Sequence, residues 1–464
     1  MKLYREKKPF VITIFGASGD LAQLELFPAL YRLAEQKRFP EEFFVIGFAR
    51  TEMTQKKFKK FFENSVKKEI KDINPKILKK LLKHIYYHQG QYDQQKDFEN
   101  LNAYIDKLTN KKSITKIAYF AVPPVTFKNI VKNLGETKKR ESEDIRLVIE
   151  KPFGEDMETA TDLFHFISRY FEESQVYLLD HYLGKSAVQS ILPLRHPNRM
   201  LNLILKGREI SNIQITAFED IGVINRMGYF DQVGIIKDMM QSHLFQVLAL
   251  LTMSIPINKT ATSIHQEKYA ILSALEFQKS LKNIALGQYE KYPKKSNTET
   301  FAALRLGINQ EVWHDTPIYV RTGKDLDEKH TYVVVEIRKF DYQPKDEEPN
   351  RLIIELAPDE KVSIKLINSS GDNSQPLMTE ESIACSGDNC LPEHGLLILD
   401  VLRKRQNNFL SFPEIIATWK LTDEIVNFMK NKKMKPEIYK KGSRGPDCQN
   451  AIIKEKHKWY DLHK

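Results

Sequence analysis

Residues 9–22 read PFVITIFGASGDLA, and this stretch decides the fold of the N-terminal part of the chain. The run 9–15 is apolar, as in a strand buried on both faces, and a helical pattern begins near residue 21. Small residues at Gly16, Gly19 and Ala22 suit a tight turn, close approach of the backbone to a ligand and close helix packing. A helix N-terminus there offers N–H groups to a pyrophosphate. The spacing is GxxGxxA, so a plain strand-to-helix turn is the alternative.

The same alternation of apolar strand and amphipathic helix continues to about residue 180. Helical patterns occupy 21–36 and 155–171, for example. This order is typical of a parallel sheet covered by helices on both faces, so we expect a doubly wound α/β domain over residues 1–180. The further predicted strands are 43–49, 85–87, 116–122, 145–150 and 176–179.

A different pattern follows residue 180. A long helical segment at 231–252 precedes a series of alternating strands without helices between them, which indicates an antiparallel sheet. We therefore predict that residues 181–464 form an α+β domain with a large, mainly antiparallel sheet. The strands are expected near 302–309, 316–321, 331–338, 352–357 and 361–367.

Basic residues outnumber acidic ones by 71 to 61, giving a formal net charge of +10. The lysine-rich stretches 56–83 and 430–435 carry much of this excess. Lysines spaced among apolar residues at helical intervals are typical of a solvated face. A nucleic-acid surface is the alternative, but it would need arginines and aromatics along one groove, so no nucleic-acid partner is expected. A basic protein instead favours small anions such as phosphates.

The cysteines and the N-terminus indicate a reduced compartment. Cys385, Cys390 and Cys448 form no CxxC motif, so we expect neither disulfides nor a metal site. The opening MKLYREKKPF has no signal-peptide core. The apolar stretch 244–257 is too short to span a bilayer. These features predict a soluble, cytoplasmic protein with no membrane partner.

The end of the second predicted strand suggests which dinucleotide binds. An acid usually stands there in NAD-binding domains, where it accepts hydrogen bonds from the ribose. This strand ends FFVIGFART, with Arg50 and Thr51. A guanidinium pairs with a 2′-phosphate, which favours NADP. A surface arginine is the alternative.

Unusual residues follow other strands of this domain. Pro123-Pro124, Lys151-Pro152-Phe153-Gly154 and the hexapeptide DHYLGK at 180–185 each stand behind an apolar run. In open α/β sheets the ligand crevice lies beyond the carboxyl ends of the strands. The ionisable residues of DHYLGK are therefore predicted at the place where cofactor and substrate meet.

Taken in order, these motifs resemble those of the glucose-6-phosphate dehydrogenase family. The resemblance runs from residue 9 to about 330 and thins beyond. EKPFG and DHYLGK are its most specific parts. The matching stretches are GASGDLA, GFAR, AVPP, EKPFG, DHYLGK, YFDQVGIIKDMMQSHL, NTETFAALRL and VRTGKDL.

The resemblance implies NADP-dependent oxidation of glucose 6-phosphate at C1 to the lactone, the first step of the oxidative pentose phosphate pathway. It also implies a homodimer or homotetramer built through the second domain. Its catalytic pair is His243, as general base, and Asp180. Pro152 is expected to follow a cis peptide bond. Implied substrate-binding residues are Lys151, His181, Tyr182, Lys185, Glu219, Asp238, Lys324 and Lys329. Implied cofactor-binding residues are Gly16, Ala17, Ser18, Gly19, Asp20, Leu21, Arg50 and Lys151.

The chemistry of these residue types agrees with those roles. Hydride loss from C1 requires removal of the hydroxyl proton, and an imidazole suits that transfer. A carboxylate fixes the imidazole tautomer. By its spacing alone, however, His243 falls on an apolar helical stripe and would be a core residue. An α-helix would also place Asp238, five residues earlier, about 140° away.

Several positions depart from the family pattern. Gln23-Leu24-Glu25 replaces a basic triplet, and Leu178, Ser186 and Ser242 replace the family's usual arginine, glutamate and asparagine. We expect Glu25 to face anionic ligands, or to turn towards solvent or Lys185, and to weaken substrate binding. The departures leave a second hypothesis open, a catalytically degenerate paralogue that binds NADP or sugar phosphate in a regulatory role.

Overall fold

The computed structural model describes residues 4–139, 143–224, 227–343, 347–367, 376–382, 391–453 and 457–462. The chain divides into two compact units, 1–184 with 386–412 and 185–385 with 413–464. The single boundary predicted near residue 180 therefore differs from the structure, in which a later segment belongs to the first unit. The reason is its apolar helix, since Leu397, Ile398 and Leu399 are buried in the core of that unit.

The helices of the described residues include α-helices and 3₁₀-helices. Two short π-helices, Ala22–Leu26 and Ile236–Leu244, also occur among the described residues. The α-helices there are α1 (Phe27–Glu35), α2 (Gln55–Glu69), α3 (Pro75–Leu81), α4 (Gln95–Leu108), α5 (Phe127–Glu136), α6 (Met157–Ser168), α7 (Ser186–Arg195), α8 (Arg199–Ile204), α9 (Met227–Ile235), α10 (Phe245–Thr252), α11 (Ala261–Leu272), α12 (Glu393–Leu402) and α13 (Phe412–Asn431).

The strands fall into one sheet in each unit. Those of the described residues are β1 (Phe10–Phe15), β2 (Phe43–Ala49), β3 (Ile85–Gln89), β4 (Thr115–Phe120), β5 (Ile145–Glu150), β6 (Val176–Leu179), β7 (Ile210–Phe218), β8 (Leu275–Glu276), β9 (Ile284–Tyr289), β10 (Phe301–Ile308), β11 (Ile318–Gly323), β12 (His330–Ile337), β13 (Arg351–Ala357), β14 (Lys361–Ile367), β15 (Pro376–Ser382) and β16 (Glu437–Tyr439).

The sheet of the first unit is parallel, in the order β3-β2-β1-β4-β5-β6. Strand order reverses between β1 and β4, which are hydrogen-bonded in register from Phe10 and Thr115. All six residues of β1 are buried, as its apolar sequence predicts. The predicted doubly wound domain is confirmed, and its ligand crevice is expected at this reversal.

The lysine-rich stretch folds as predicted into helices with a solvated face. Phe58, Phe62 and Val66 of α2 are buried in the core of the first unit, whereas Lys57 and Lys60 are exposed. An apolar stripe at helical spacing explains this arrangement.

The sheet of the second unit is mixed but mainly antiparallel, in the order β15-β14-β13-β12-β7-β11-β10-β9-β16 with β8 beside β10. The pairs β7–β11 and β9–β16 are parallel. The predicted α+β class is therefore confirmed, with two parallel pairs that consecutive strand patterns do not reveal.

The predicted long helix at 231–252 is divided into three pieces. Gly234 interrupts α9 with φ +73°, a π-helix covers Ile236–Leu244, and α10 completes the run. Among the described residues no helix is both long and apolar enough to cross a bilayer. Cys448 carries a free thiol, whereas Cys385 and Cys390 lie outside the described residues.

Candidate active site

The glycine turn after β1 lies at the reversal of strand order in the first unit. Gly16 has φ +87°, and a Cβ there would stand 2.1 Å from the carbonyl oxygen of Ala121. Only glycine fits, because both the backbone conformation and the space exclude a side chain. The Gly16 amide donates to the Phe48 carbonyl at 2.9 Å, which ties the turn to β2. The backbone can thus approach a ligand closely at the start of a helix, as pyrophosphate binding requires.

The residues after β2 are tied to the same turn. Ser18 Oγ lies 3.1 Å from Thr51 Oγ1. The neighbouring Arg50 is exposed, with its guanidinium carbon 5.6 Å from the centre of the Tyr92 ring. A cation over an aromatic face is attracted by the ring quadrupole, so Tyr92 restrains the Arg50 side chain. This cationic group therefore stands at the end of β2, the place where dinucleotide-binding domains recognise the ribose.

The ends of β5 and β6 place the other predicted residues of the first unit. The bond between Lys151 and Pro152 is cis, as the family resemblance implies. Asp180 directly follows β6, is fully buried, and accepts a hydrogen bond from the Tyr182 amide at 3.0 Å. The rings of His181 and Tyr182 meet edge to face at 5.1 Å between centroids.

Four predicted substrate residues of the second unit line one cavity. Glu219, Asp238, Lys324 and Lys329 all border a pocket of about 180 Å³, together with Phe230. The Lys324 ammonium forms an ion pair with Glu219 and lies 3.2 Å from Asp238 Oδ2. Burial alone would lower the pKa of Lys324, but the charges of Asp238 and Glu219 outweigh it and raise that pKa. Lys324 therefore stays a cation, oriented by two acids.

His243 lies on the π-helix, with 1% of its surface exposed. The α-helical spacing that would separate it from Asp238 by 140° is wrong here. A π-helix joins residues five apart by hydrogen bonds, so Asp238 and His243 lie approximately above one another on adjacent turns. Single-turn π segments occur frequently at functional sites.

A buried acid, Glu299, contacts the beginning of the π-helix, and the sequence alone assigned no role to it. Glu299 is only 8% exposed, and its Oε1 accepts from the Ile236 amide at 3.4 Å. Its main-chain carbonyl accepts from the Ile235 amide at 3.1 Å. A Cβ on Gly234 would stand 2.3 Å from the Glu299 carboxylate, so the kink glycine leaves room for this acid. Burial raises the pKa of Glu299 to about 7.

Lys185 and the residues that depart from the family pattern have partners nearby in the structure. Lys185 stands at the N-cap of α7, and Ser186 Oγ donates to Glu360. Leu178 is buried and forms an isolated antiparallel β-bridge with Leu410. Ser242 Oγ donates to the Asp238 carbonyl at 3.3 Å, within the π-helix itself.

Comparison with known proteins accounts for nearly the whole chain. The family model "Glucose-6-phosphate dehydrogenase, NAD binding domain" matches residues 13–190, and "Glucose-6-phosphate dehydrogenase, C-terminal domain" matches residues 192–460. The chain belongs to the glucose-6-phosphate dehydrogenase family.

Individual members of this family agree in sequence and fold. Glucose-6-phosphate 1-dehydrogenase of Schizosaccharomyces pombe is 32% identical over 98% of this chain and 95% of its own length. The Aspergillus niger enzyme of the same name is 34% identical over 95% and 90%. A solved glucose-6-phosphate dehydrogenase in complex with glucose 6-phosphate superposes with a TM-score of 0.88 at 31% identity, covering 96% of this chain and 97% of its own.

Sequence reasoning missed three residues that support the site. Glu299 lies inside the family stretch NTETFAALRL and Phe230 inside YFDQVG, so both stood in motifs without an assigned role. The Phe230 ring lies 5.3 Å from the Lys324 ammonium. Tyr92 belongs to a loop, and no pattern in the sequence marks it.

Proposed function

We propose that this protein oxidises D-glucose 6-phosphate at C1 to 6-phosphoglucono-1,5-lactone and passes the hydride to NADP. The observation that carries the proposal is the match of both family models in succession along the chain. The group of Lys324, Glu219 and Asp238 beside the cavity of the second unit adds the charged donors and acceptors that suit sugar hydroxyls.

The glycine turn supports dinucleotide binding. Gly16, Ala17, Ser18, Gly19, Asp20 and Leu21 would hold the pyrophosphate. The crowded approach at Gly16 is the structural feature that fits such a group. Arg50 would pair with the 2′-phosphate, which makes NADP the preferred form. When bound, the nicotinamide supplies the hydride acceptor.

The remaining residues transfer the proton or bind the sugar phosphate. His243 takes the proton of the C1 hydroxyl as general base, and Asp180 is the carboxylate that supports its imidazolium. His181, Tyr182 and Lys185 bind the 6-phosphate through charge-assisted hydrogen bonds. Lys151 contacts both ligands. Sugar hydroxyls are held by Glu219, Asp238, Lys324 and Lys329.

The cellular setting is proposed from the family. The protein acts in the cytoplasm at the first step of the oxidative pentose phosphate pathway, as a homodimer or homotetramer assembled through the sheet of the second unit. Gel filtration with light scattering measures the oligomeric state. A monomer at micromolar concentration would contradict this part.

The activity is tested by mixing purified protein with NADP and glucose 6-phosphate and following the absorbance of reduced nicotinamide. We expect turnover that requires both ligands and fails with unphosphorylated glucose. If NADP or the sugar phosphate binds by calorimetry without turnover, the enzyme proposal fails and the regulatory paralogue replaces it.

A further inference from the structure

His394 lies between two carboxylates in the first unit. Its Nδ1 is 3.6 Å from Glu25 Oε2, and its Nε2 is 3.3 Å from Glu150 Oε1. The His394 side chain is 8% exposed and that of Glu150 15%, whereas Glu25 is 53% exposed. Glu25 thus faces solvent over about half of its side chain, as one of the expectations has it, and it has a partner that was not expected, the nearly buried imidazole of His394.

The position of His394 on its helix makes those carboxylates necessary. His394 is the second residue of α12, where the positive end of the helix dipole disfavours a cation. Burial adds a second penalty for the charged imidazole. Two opposing carboxylates offset both effects. The same helix is packed against the turn that follows β6, since a Cβ on Gly184 would stand 3.0 Å from Glu393 Cβ.

The two carboxylates belong to elements that adjoin predicted cofactor and substrate residues in the chain. Glu25 is on the π-helix that begins three residues after Gly19 of the glycine turn. Glu150 is the last residue of β5 and immediately precedes Lys151. The Tyr119 hydroxyl of β4 donates at 2.5 Å to the same Glu150 Oε1 that His394 contacts, so it also holds this carboxylate in place.

We propose that His394 is a positioning residue whose imidazolium holds Glu25 and Glu150 together and thereby fixes Lys151 and the π-helix Ala22–Leu26, which follows the glycine turn, for the reaction. The proposal rests on the proposed function for its catalytic meaning. It also explains how the chain accommodates an acid at position 25, because the compensating cation comes from α12.

The charges around the imidazole support a protonated His394. Burial alone would lower the pKa of His394, but the hydrogen bond and charge of Glu150, with the charges of Glu25 and Glu393, raise it. Burial raises the pKa of Glu25, with contributions from the charges of Glu393, Glu150 and Glu69, while the charge of His394 opposes the rise. As long as the Glu25 carboxylate is ionised, the interaction is therefore complete below the ordinary pKa of histidine, and it is lost as pH rises through the raised pKa of His394.

The test is a double-mutant cycle on the dissociation constant of NADP, measured by equilibrium dialysis without substrate. At pH 6, His394→Gln and Glu25→Gln should each weaken NADP binding by about fivefold or more. The double variant should bind NADP no more weakly than His394→Gln, since that change already breaks the contact with Glu25. The exchanged pair Glu25→Lys with His394→Glu should regain affinity relative to Glu25→Lys alone.

The pH dependence separates positioning from a merely structural role. The affinity of the unmodified protein should approach that of His394→Gln as pH rises above the pKa of His394, whereas His394→Gln itself should change little. His165→Gln, at an exposed histidine of α6, is the matched control and should behave like the unmodified protein. Two outcomes at pH 6 would overturn the proposal. One is that the effects of His394→Gln and Glu25→Gln on NADP affinity are independent and additive, and the other is that these variants bind NADP as tightly as the unmodified protein.

Failure of the proposed function gives a different result. A protein that binds NADP without turning over glucose 6-phosphate disproves the function, and the cycle on NADP affinity still decides the role of His394. If NADP does not bind at all, the double-mutant cycle is measured at pH 6 on the midpoint of urea unfolding instead of on the dissociation constant. Additive effects of His394→Gln and Glu25→Gln on that midpoint then overturn the interaction, and non-additive effects support it.

Discussion

The carboxylate of Glu299 fills the space that Gly234 leaves by having no side chain, at the point where α9 gives way to the π-helix. Two separate features require glycine at position 234: φ is +73°, and a Cβ would collide with the Glu299 carboxylate. Glu299 in turn accepts the Ile236 amide at the beginning of the helix that carries Asp238 and His243. A buried acid thus holds the start of the proposed catalytic helix.

The first prediction concerns the pH dependence of stability at Glu299. Burial raises its pKa from 4.5 to about 7, with Lys237 opposing the rise, so the folded protein binds this proton more tightly than the unfolded chain. The free energy of unfolding should therefore fall as pH rises from 4.5 to about 7, by on the order of 3 kcal/mol from this group. Urea unfolding of the protein and of Glu299→Gln at pH 5 and pH 8 measures it. A difference between the two proteins that does not change with pH would contradict the assignment.

The second prediction tests the ion-pair group at Lys324. Lys324→Met leaves Glu219 and Asp238 without their shared cation, so the free energy of unfolding should fall by about 3 kcal/mol. The loss should be smaller in Lys324→Met with Asp238→Asn, because one uncompensated carboxylate is gone. The control is Lys279→Met, since Lys279 makes an exposed ion pair of 3.8 Å with Glu424, and such pairs contribute about 0–1 kcal/mol. Equal effects of Lys324→Met and the control would show that the buried pair is unimportant.

Burial explains which parts of the fold could be predicted from the sequence. β1 and β2 are nearly continuous apolar runs between helices, which is typical of strands of a parallel sheet that are buried on both faces. The place of α12 in the first unit was not predictable, because its apolar sequence is compatible with any core. The π-helix at Ile236–Leu244 was missed for a related reason, since the hydrophobic pattern of a single π segment is that of an α-helix.

The candidate site shows the same limit. The glycine turn and Arg50 follow from local pattern, whereas Glu219, Asp238 and Lys324 were named only through the family resemblance. Tertiary structure brings these three to one cavity from β7, the π-helix and the end of β11. His394 and Glu299 could not be found from sequence, because each acquires its role from partners far away in the chain.

The third prediction concerns the glycine turn. Gly16→Ala places a methyl group 2.1 Å from the Ala121 carbonyl and 2.7 Å from Val122 Cγ1, so strain and overlap add. We expect the free energy of unfolding to fall by about 3 kcal/mol or more, together with loss of dinucleotide binding. Gly442→Ala is the matched control, because Gly442 has φ +70° with nothing within 4 Å of an added Cβ. It should cost about 1 kcal/mol of backbone strain and leave binding unchanged. NADP binding retained in Gly16→Ala would place the cofactor elsewhere.

The fourth prediction addresses cofactor choice at Arg50. Arg50→Ala should lower the ratio of kcat/KM for NADP to that for NAD, because one charge-assisted contact to the 2′-phosphate, of about 1.5–3 kcal/mol, is lost. The control is Arg169→Ala, which removes another exposed arginine beside an aromatic ring, with its guanidinium carbon 5.9 Å from the centre of Phe166. An unchanged ratio in Arg50→Ala would make Arg50 a surface residue held by Tyr92.

The last prediction concerns the proposed base. His243→Asn should lower kcat by about 10²–10⁴, the usual contribution of a positioned general base, with a much smaller change in the KM for glucose 6-phosphate. His243 is almost completely buried, so a fall in activity must be distinguished from unfolding. Urea unfolding of the variant and its affinity for NADP provide that distinction, because a folded protein that binds the dinucleotide has lost only the proton transfer. Ser242→Ala, at the neighbouring residue, serves as control. The Ser242 hydroxyl donates to the Asp238 carbonyl within the helix, and no part in the proton transfer is proposed for it. A His243→Asn enzyme with a raised KM and an undiminished kcat would show that His243 binds the substrate and that another group is the base.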